Sequence, residues 1–306
     1  MRRLRDAAYL DRSVWRFWLP LVWYALPLPE RRPGGEPPLV SVVIPTYNWS
    51  SVLRHAIGSA LDQTYPAIEV IVVGDGCTDD SAEVVAGFDD PRVRWIGLEV
   101  NSGSQSAPNN AGIAAARGAY VAYHGHDDVW HPEHLSLVVG ALERQRADFG
   151  HSRAEMIGPP ESHLRVLTGS LAEGLPASVL VHRRDALGAV GGWKDYRTTV
   201  SPPDTDLCDR IVASGRPIAE VPALTVFKFN SAWRPNCYVE KPSHEQAACR
   251  ARMREYPRTV VLREIVAFIR HRRRGEAAVY PEMADPPVPG VPGWTVAEWR
   301  RIRGLQ

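Results

Sequence analysis

The sequence predicts an α/β fold with a mostly parallel, twisted sheet flanked by helices. The 306 residues are 44% hydrophobic and 23% charged, a composition typical of globular proteins. Apolar runs rich in β-branched residues alternate with segments of helical periodicity between positions 39 and 130. This alternation is typical of βαβ units, whose parallel strands are covered by helices on both faces and are therefore apolar throughout.

Four strands are predicted in the first half of the chain, and three of them end in polar turns. The strands are expected at 39–44, 68–73, 93–96 and 120–123. The helices between them are expected at 51–63, from Thr78 onward and at 106–117. The turns PTYN, GDG and GHDD follow the first, second and fourth strands. Because ligands of such sheets bind at the carboxyl ends of the strands, we expect these turns to face a ligand.

The second half of the chain is less regular. Helices are expected at 135–146, 204–213 and 258–274. A short strand is expected at 180–183, a tight turn at 191–193, and one or two strands within 218–229.

Composition excludes several functions. The balance of 36 basic against 35 acidic residues argues against nucleic acid as a partner, since proteins that neutralise phosphates usually carry a basic excess. The four cysteines lack the spacing of a zinc site, so we expect reduced thiols in a cytoplasmic protein. No GxGxxG follows the first strand, which disfavours a nicotinamide-dependent dehydrogenase.

The N-terminal segment allows two interpretations. An apolar, aromatic run at 17–29 follows an arginine-rich start, but it contains prolines and is shorter than the about 20 residues that span a bilayer. We expect it either to pack on the domain or to make peripheral contact with a membrane, together with the basic end of the 258–274 helix.

Carboxylates recur at the ends of the predicted elements. Asp75 could accept a hydrogen bond from a nucleotide base, or it could only stabilise a turn. Asp127 and Asp128 could hold Mg²⁺ or Mn²⁺ together with diphosphate oxygens, or they could only cap a helix. Asp204 or Asp206 could take a proton from an attacking hydroxyl, or the two could only form a charge pair at a helix start.

The order and spacing of these motifs resemble glycosyltransferase family 2, a family of inverting enzymes with the GT-A fold. The resemblance lies in VSVVIPTYNWSSVLRHAIGSALDQTYPAIEVIVVGDGCTDDS, NNAGIAAARGAYVAYHGHDDVWHPEHL, VLVHRRDALGAVGGW and PPDTDLCDRI. The second segment contains the position of the family's DxD motif. The third and fourth resemble its Gly-Gly turn and its catalytic acidic segment.

The resemblance implies a hexosyl-type glycosyltransferase that uses a nucleotide-sugar donor, UDP-sugars being the commonest in the family, and Mn²⁺ or Mg²⁺. It implies that Asp204 is the general base and that Asp127 and Asp128 bind the metal. The implied donor-binding residues are Pro45, Thr46, Tyr47, Asp75, Asn110, Asp127, Gly192, Trp193 and Lys228. No motif identifies the acceptor, which could be a hydroxyl of a glycan, a lipid-linked molecule or a small molecule.

Three regions are expected on this basis. Residues 1–38 form an aromatic and basic extension with a linker, and residues 39–230 form the GT-A catalytic domain. Within that domain, 39–130 is the nucleotide-binding half and 131–230 the acceptor half. Residues 231–306 form a helical extension with a Pro-rich linker and a tail.

The sequence departs from the family pattern at several positions. Gly125 stands where the DxD motif has its first carboxylate, and Pro203 stands in place of the acidic residue before the catalytic aspartate. Asn109 lies near a position that is often arginine, and Asn230 replaces a histidine. These departures support a second hypothesis: a catalytically degraded protein of the same fold that binds a nucleotide sugar or a protein partner.

Overall fold

The computed structural model describes residues 35–160, 165–274, 277–279, 301 and 303–305. The aromatic run at 17–29 and the Pro-rich linker lie outside the described residues. The expectations for those two segments therefore stay predictions.

The first half of the sheet is parallel, as the sequence predicts. Its strands are β1 (Val40–Thr46), β2 (Ile68–Asp75), β3 (Val93–Leu98) and β4 (Tyr120–Tyr123). They pair in the order β4–β1–β2–β3, all parallel. β2 is buried along its whole length, which explains why its residues from Val70 to Val73 are apolar without alternation. The buried Glu69 pairs with Arg117.

Helices cover the strands of this half. They are α1 (Ser50–Leu61), α2 (Ser81–Ala86) and α3 (Ser106–Ala115). α1 buries Val52, Leu53 and Ile57 at helical spacing. α3 is built from small residues because it lies close to the sheet: a Cβ on Gly112 would collide with the side chain of Val43.

The second half contains more strand than the sequence indicates. Its elements are β5 (Asp128–Trp130), α4 (His134–Gln145), β6 (Phe149–Ile157), β7 (Arg165–Leu167), β8 (Leu180–Arg183), α5 (Pro203–Ala213) and β9 (Ile218–Phe229). β8 continues the sheet from β4 in an antiparallel sense and pairs with β6. β9 is one strand, which pairs parallel with β6 and antiparallel with β5. Within the described residues the sheet has ten strands, so both halves share one core.

The C-terminal region contains α6 (Cys237–Glu240), α7 (His244–Glu255), α8 (Pro257–Arg273) and β10 (Ala277–Val279). It is not purely helical, since β10 pairs parallel with β7 and extends the sheet. None of the described helices combines the length and apolar character needed to cross a bilayer. The four cysteines are free thiols, as predicted.

Candidate active site

A cavity lies at the carboxyl ends of β1, β2 and β4, the edge at which open α/β sheets bind ligands. It collects most of the side chains that the sequence singles out. These are Pro45, Thr46, Tyr47, Asp75, Asp127, Asp204 and Lys228. Because they come from separate strands and from the start of α5, the folding of the sheet is what brings them together.

The side chain of Asn48 connects the turn that follows β1 to the turn that follows β2. Asn48 follows β1 with a positive φ of 45°, a left-handed conformation that asparagine tolerates better than most residues. Its amide oxygen accepts hydrogen bonds from the backbone N–H groups of Thr78, at 2.7 Å, and Asp79, at 3.2 Å. The turn after β1 is thereby fixed to the turn after β2.

Asp75 at the end of β2 is buried and well supported. Its Oδ1 accepts a hydrogen bond from the N–H of Ser102 at 2.9 Å, and its Oδ2 accepts from the Ser102 hydroxyl at 3.0 Å and the Asn101 amide at 3.2 Å. Gly76 has a φ of 69°, and a Cβ there would collide with the Asn101 backbone. The glycine therefore lets the 101–102 segment approach Asp75. Asp75 thus stabilises the turn, which is one of the two roles expected from the sequence, and its carboxylate also lines the cavity.

The adjacent acids Asp127 and Asp128 have different surroundings. Asp127 lines the cavity, whereas Asp128 is absent from its lining and is fully buried. Asp128 Oδ2 accepts a hydrogen bond from the Ser178 hydroxyl at 2.5 Å and lies 3.5 Å from Lys228 Nζ. A Cβ on Gly125 would lie 2.5 Å from the same Oδ2, so this arrangement leaves no room for a side chain at the first DxD position.

The charges around Lys228 are coupled. Burial alone would lower the pKa of Lys228, but the carboxylates of Asp128, Asp127 and Asp204 raise it. Burial would raise the pKa of Asp127, but the cation of Lys228, together with His126 and Arg303, holds it below its usual value. Burial and the neighbouring Asp127 raise the pKa of Asp128 to about 6, against the opposing effect of Lys228. Lys228 is thus a fixed positive charge among three carboxyl groups.

The structure distinguishes the two acids of α5. Asp206 points away to Arg210, at 2.7 Å, and Lys194, at 3.8 Å. Asp204 lines the cavity in the first turn of the helix. Burial raises its pKa above the usual aspartate value, although Lys228 opposes the shift. A carboxylate with a raised pKa at the wall of a cavity can accept a proton from a bound molecule.

Three of the predicted donor-binding residues support the cavity wall without being among its lining residues. Asn110 accepts a hydrogen bond from the N–H of Trp193 at 3.1 Å and donates one to its carbonyl oxygen at 2.8 Å. The predicted tight turn at Gly191 and Gly192 is confirmed, with φ values of 82° and 66°. Arg210 donates to the Gly192 carbonyl at 2.7 Å.

Several residues of this cavity were given no binding role from the sequence. Asn109 lines it with a fully buried amide that has no hydrogen-bond partner among the described residues. Such a group indicates a polar ligand atom. Tyr238, Arg303 and Leu305 line it from the C-terminal region. Their sequence surroundings match no motif, so only the folded chain reveals them.

In the part of the chain that the structure describes, no group of three or more His, Cys, Asp or Glu side chains is arranged to hold a metal ion. A divalent ion at Asp127 would need further oxygen ligands from a bound molecule.

Comparison with known proteins agrees with these features. Residues 41–167 match the family model described as Glycosyl transferase family 2. The succinoglycan biosynthesis protein ExoO of Rhizobium meliloti is 34% identical over 143 residues, which are 47% of this chain and 41% of that protein. An uncharacterized glycosyltransferase of Rickettsia prowazekii is 39% identical over 107 residues, which are 35% of this chain and 33% of the relative. The matches thus span less than half of either relative.

Two solved structures share the fold. S. aureus TarS 1-349 in complex with UDP-GlcNAc aligns over 63% of this chain and 58% of that one, with a TM-score of 0.53 and 19% identity. The mannosyltransferase PcManGT from Pyrobaculum calidifontis, in complex with GDP-Man and Mn²⁺, aligns over 88% and 85%, with a TM-score of 0.52 and 16% identity. At such identities the likeness concerns the fold. Residues 41–167 of this chain are therefore similar in sequence to glycosyl transferase family 2, and the chain shares its α/β fold with the solved structures named above.

Proposed function

We propose that this chain is an inverting glycosyltransferase that moves a hexosyl group from a nucleoside-diphosphate donor to an acceptor hydroxyl. One observation carries the proposal. The carboxylates of Asp75, Asp127 and Asp204, distant in sequence, line a single cavity with Lys228 at the ligand-binding edge of a family 2 domain.

The donor is proposed to lie along the strand ends. Thr46, Tyr47 and Asp75 frame the base, and Lys228 faces the diphosphate as a point charge. A UDP-sugar is the first candidate for the donor. TarS in complex with UDP-GlcNAc and PcManGT in complex with GDP-Man support a nucleotide sugar without deciding between bases.

The residues present fit a metal that is shared with the donor. Asp127 supplies one carboxylate at the cavity, and magnesium or manganese sites commonly combine one or two carboxylates with substrate phosphates. When bound, such an ion offsets the negative charge that builds on the leaving diphosphate. The prediction that Asp128 is a metal ligand is revised here. Its Oδ2 already bonds to Ser178 and Lys228, so we assign it the role of holding Lys228.

The chemistry that the chain itself performs centres on Asp204. Its carboxylate accepts the proton of the acceptor hydroxyl as the hydroxyl oxygen attacks the anomeric carbon in line. The new carbon–oxygen bond forms on one face while the bond to the diphosphate breaks on the other, so the configuration inverts. Lys228 opposes the charge left on the diphosphate. No covalent enzyme intermediate is required.

The three-region division of the chain is kept as a proposal, with one change. Residues 39–130 supply the base-side wall and 131–230 supply Asp204 and Lys228. The wall also includes Tyr238 and Arg303, so the catalytic unit extends past position 230. The acceptor remains a hydroxyl compound of unassigned class.

Peripheral membrane contact by a cytoplasmic enzyme is proposed separately. α8 exposes Leu262 and Val266, one turn apart, and ends in a basic stretch. Co-sedimentation with anionic liposomes tests it, and recovery at the level of liposome-free samples would contradict it.

A catalytically degraded nucleotide-sugar binder is the second candidate. The observation that favours it is Gly125, where the packing of Asp128 excludes the first DxD carboxylate.

Turnover separates the two candidates. The full chain is incubated with UDP-, GDP- and dTDP-hexoses with and without Mn²⁺, and release of nucleoside diphosphate is followed, with the released sugar's anomer determined by NMR. We expect slow hydrolysis with inversion, which Asp204→Asn abolishes while donor binding persists. Donor binding without any release by the unmodified chain would support the binder instead.

A further inference from the structure

The end of the described chain is docked at the cavity mouth. The N–H of Tyr238 donates to the carbonyl of Arg303 at 3.1 Å, and the N–H of Gly304 donates to the carbonyl of Arg301 at 3.1 Å. Gly304 has a φ of 82°, and a Cβ on it would lie 2.7 Å from the side chain of Val239. Residues 303–305 are therefore held tightly against α6.

Aromatic packing through Tyr238 connects residues 303–305 to the segment that follows β1. The Tyr238 ring packs edge-on against Trp49, with centroids 5.1 Å apart, and its hydroxyl lies 3.2 Å from His126 Nε2. The guanidinium of Arg303 lies over the Tyr238 ring, 5.7 Å from the centroid, and its Nη1 donates to the Ser231 hydroxyl at 3.5 Å. The Tyr238 ring and the Ser231 hydroxyl thus fix the guanidinium of Arg303 near the turn that follows β1.

A diphosphate bound at this end of the cavity would need positively charged side chains to balance its negative charge. Arg303 and Lys228 are the Arg and Lys side chains among the described residues that line the cavity, and they lie on different elements. Both line the same cavity as the carboxylate of Asp127. A diphosphate bound beside Asp127 adds negative charge that Lys228 alone does not balance. A guanidinium also offers a planar fork that matches two phosphate oxygens.

We propose that Arg303 binds the diphosphate of the donor, as a second cation that reaches the cavity from the C-terminal segment while Lys228 reaches it from β9. The proposal rests on the proposed function and deepens it by assigning a phosphate-binding residue outside the family 2 match at 41–167.

The test compares a nucleoside diphosphate with its nucleoside. Isothermal titration first identifies which of UDP, GDP and dTDP binds the full chain, and the matching nucleoside is then titrated. Arg303→Gln is expected to weaken diphosphate binding by about tenfold to a hundredfold and to leave nucleoside binding unchanged. Arg303→Lys, which keeps the positive charge but not the planar fork, is expected to bind the diphosphate with an affinity between those of the unmodified chain and Arg303→Gln. Arg301→Gln, which neutralises an exposed arginine two residues away, is the matched control and is expected to behave like the unmodified chain.

Each outcome decides. Unchanged diphosphate binding by Arg303→Gln would overturn the proposal. Equal losses for nucleoside and diphosphate would assign Arg303 a structural role and overturn it as well. If the unmodified chain binds none of the three diphosphates, the proposed function itself fails, and this inference fails with it.

Discussion

Asp204 is the side chain on which the proposed chemistry most depends. Its carboxyl is half-buried in the wall of the cavity that Lys228 also lines, and two effects on its pKa oppose each other: burial raises the pKa, and the Lys228 cation limits the rise. A base works only when it is deprotonated, so its contribution is present above its pKa and is lost as the pH falls through that value.

We therefore predict that the rate of diphosphate release rises with pH in the acidic range, the acid limb of the pH profile. The midpoint of this rise is expected to lie above 3.8, the usual pKa of an aspartate. Replacing Lys228 with Met removes the opposing cation and moves the midpoint to higher pH, whatever happens to the maximal rate. Initial rates of diphosphate release across the pH range measure it. An acid limb that stays in place in Lys228→Met would contradict this electrostatic account.

Replacing Asp127 or Asp128 with Ala is predicted to affect different properties: metal binding for Asp127 and stability for Asp128. Asp128→Ala removes the carboxylate that pairs with the half-buried Lys228 ammonium and accepts from the buried Ser178 hydroxyl, and we expect a loss of about 1–3 kcal/mol in the free energy of unfolding. Asp127→Ala is expected to change stability little and to abolish nucleotide-dependent Mn²⁺ binding. Denaturant titration and electron paramagnetic resonance of Mn²⁺ measure the two effects. A reversed pattern would exchange the roles assigned to these acids.

At the scale of elements, the strands that carry the rim could be predicted because both of their faces are covered. Apolar side chains then fill most positions on both faces, as from Val70 to Val73 in β2. β6 could not be predicted, although it too is almost entirely buried. Its polar residues find partners across the sheet: Arg153 pairs with Glu220, and Glu155 with Arg165. Such pairing depends on distant segments, so no local pattern reveals the strand.

Arg234 is the anchor that holds the C-terminal wall of the cavity. It is buried, donates to the carbonyls of Ile157 and Gly158 at 2.8 and 3.0 Å, and pairs with Glu245 at 3.0 Å. We predict that Arg234→Met destabilises the protein by about 3–5 kcal/mol, because it leaves Glu245 without its cation and removes a donor from the carbonyls of Ile157 and Gly158. Arg254→Met, at an exposed ion pair with Asp62, is the control.

The control is expected to change stability by less than about 1 kcal/mol, as is usual for an exposed pair. Melting temperature and denaturant midpoint give both values. Equal effects of the two substitutions would show that the 231–245 segment is not fixed by Arg234.

At the scale of the whole molecule, the cavity is assembled from parts of unequal predictability. The resemblance covers the wall from Pro45 to Lys228, and its motifs indicate Asp75, Asp127 and Asp204 correctly as neighbours of one cavity. It says nothing of Tyr238 and Arg303, which lie outside any motif and reach the cavity only because the chain returns to the sheet edge after α8. Contacts of such sequence separation leave no local signal.

The central claim is that these carboxylates and Lys228 form a site for a nucleoside-diphosphate sugar. The most direct measurement is the melting temperature of the full chain with UDP-, GDP- and dTDP-sugars, each with and without Mn²⁺, since a ligand that binds only the folded state raises it. We predict that at least one donor raises the melting temperature and that Asp127→Ala removes its Mn²⁺-dependent part. No shift with any of these donors, with or without Mn²⁺, would contradict the account.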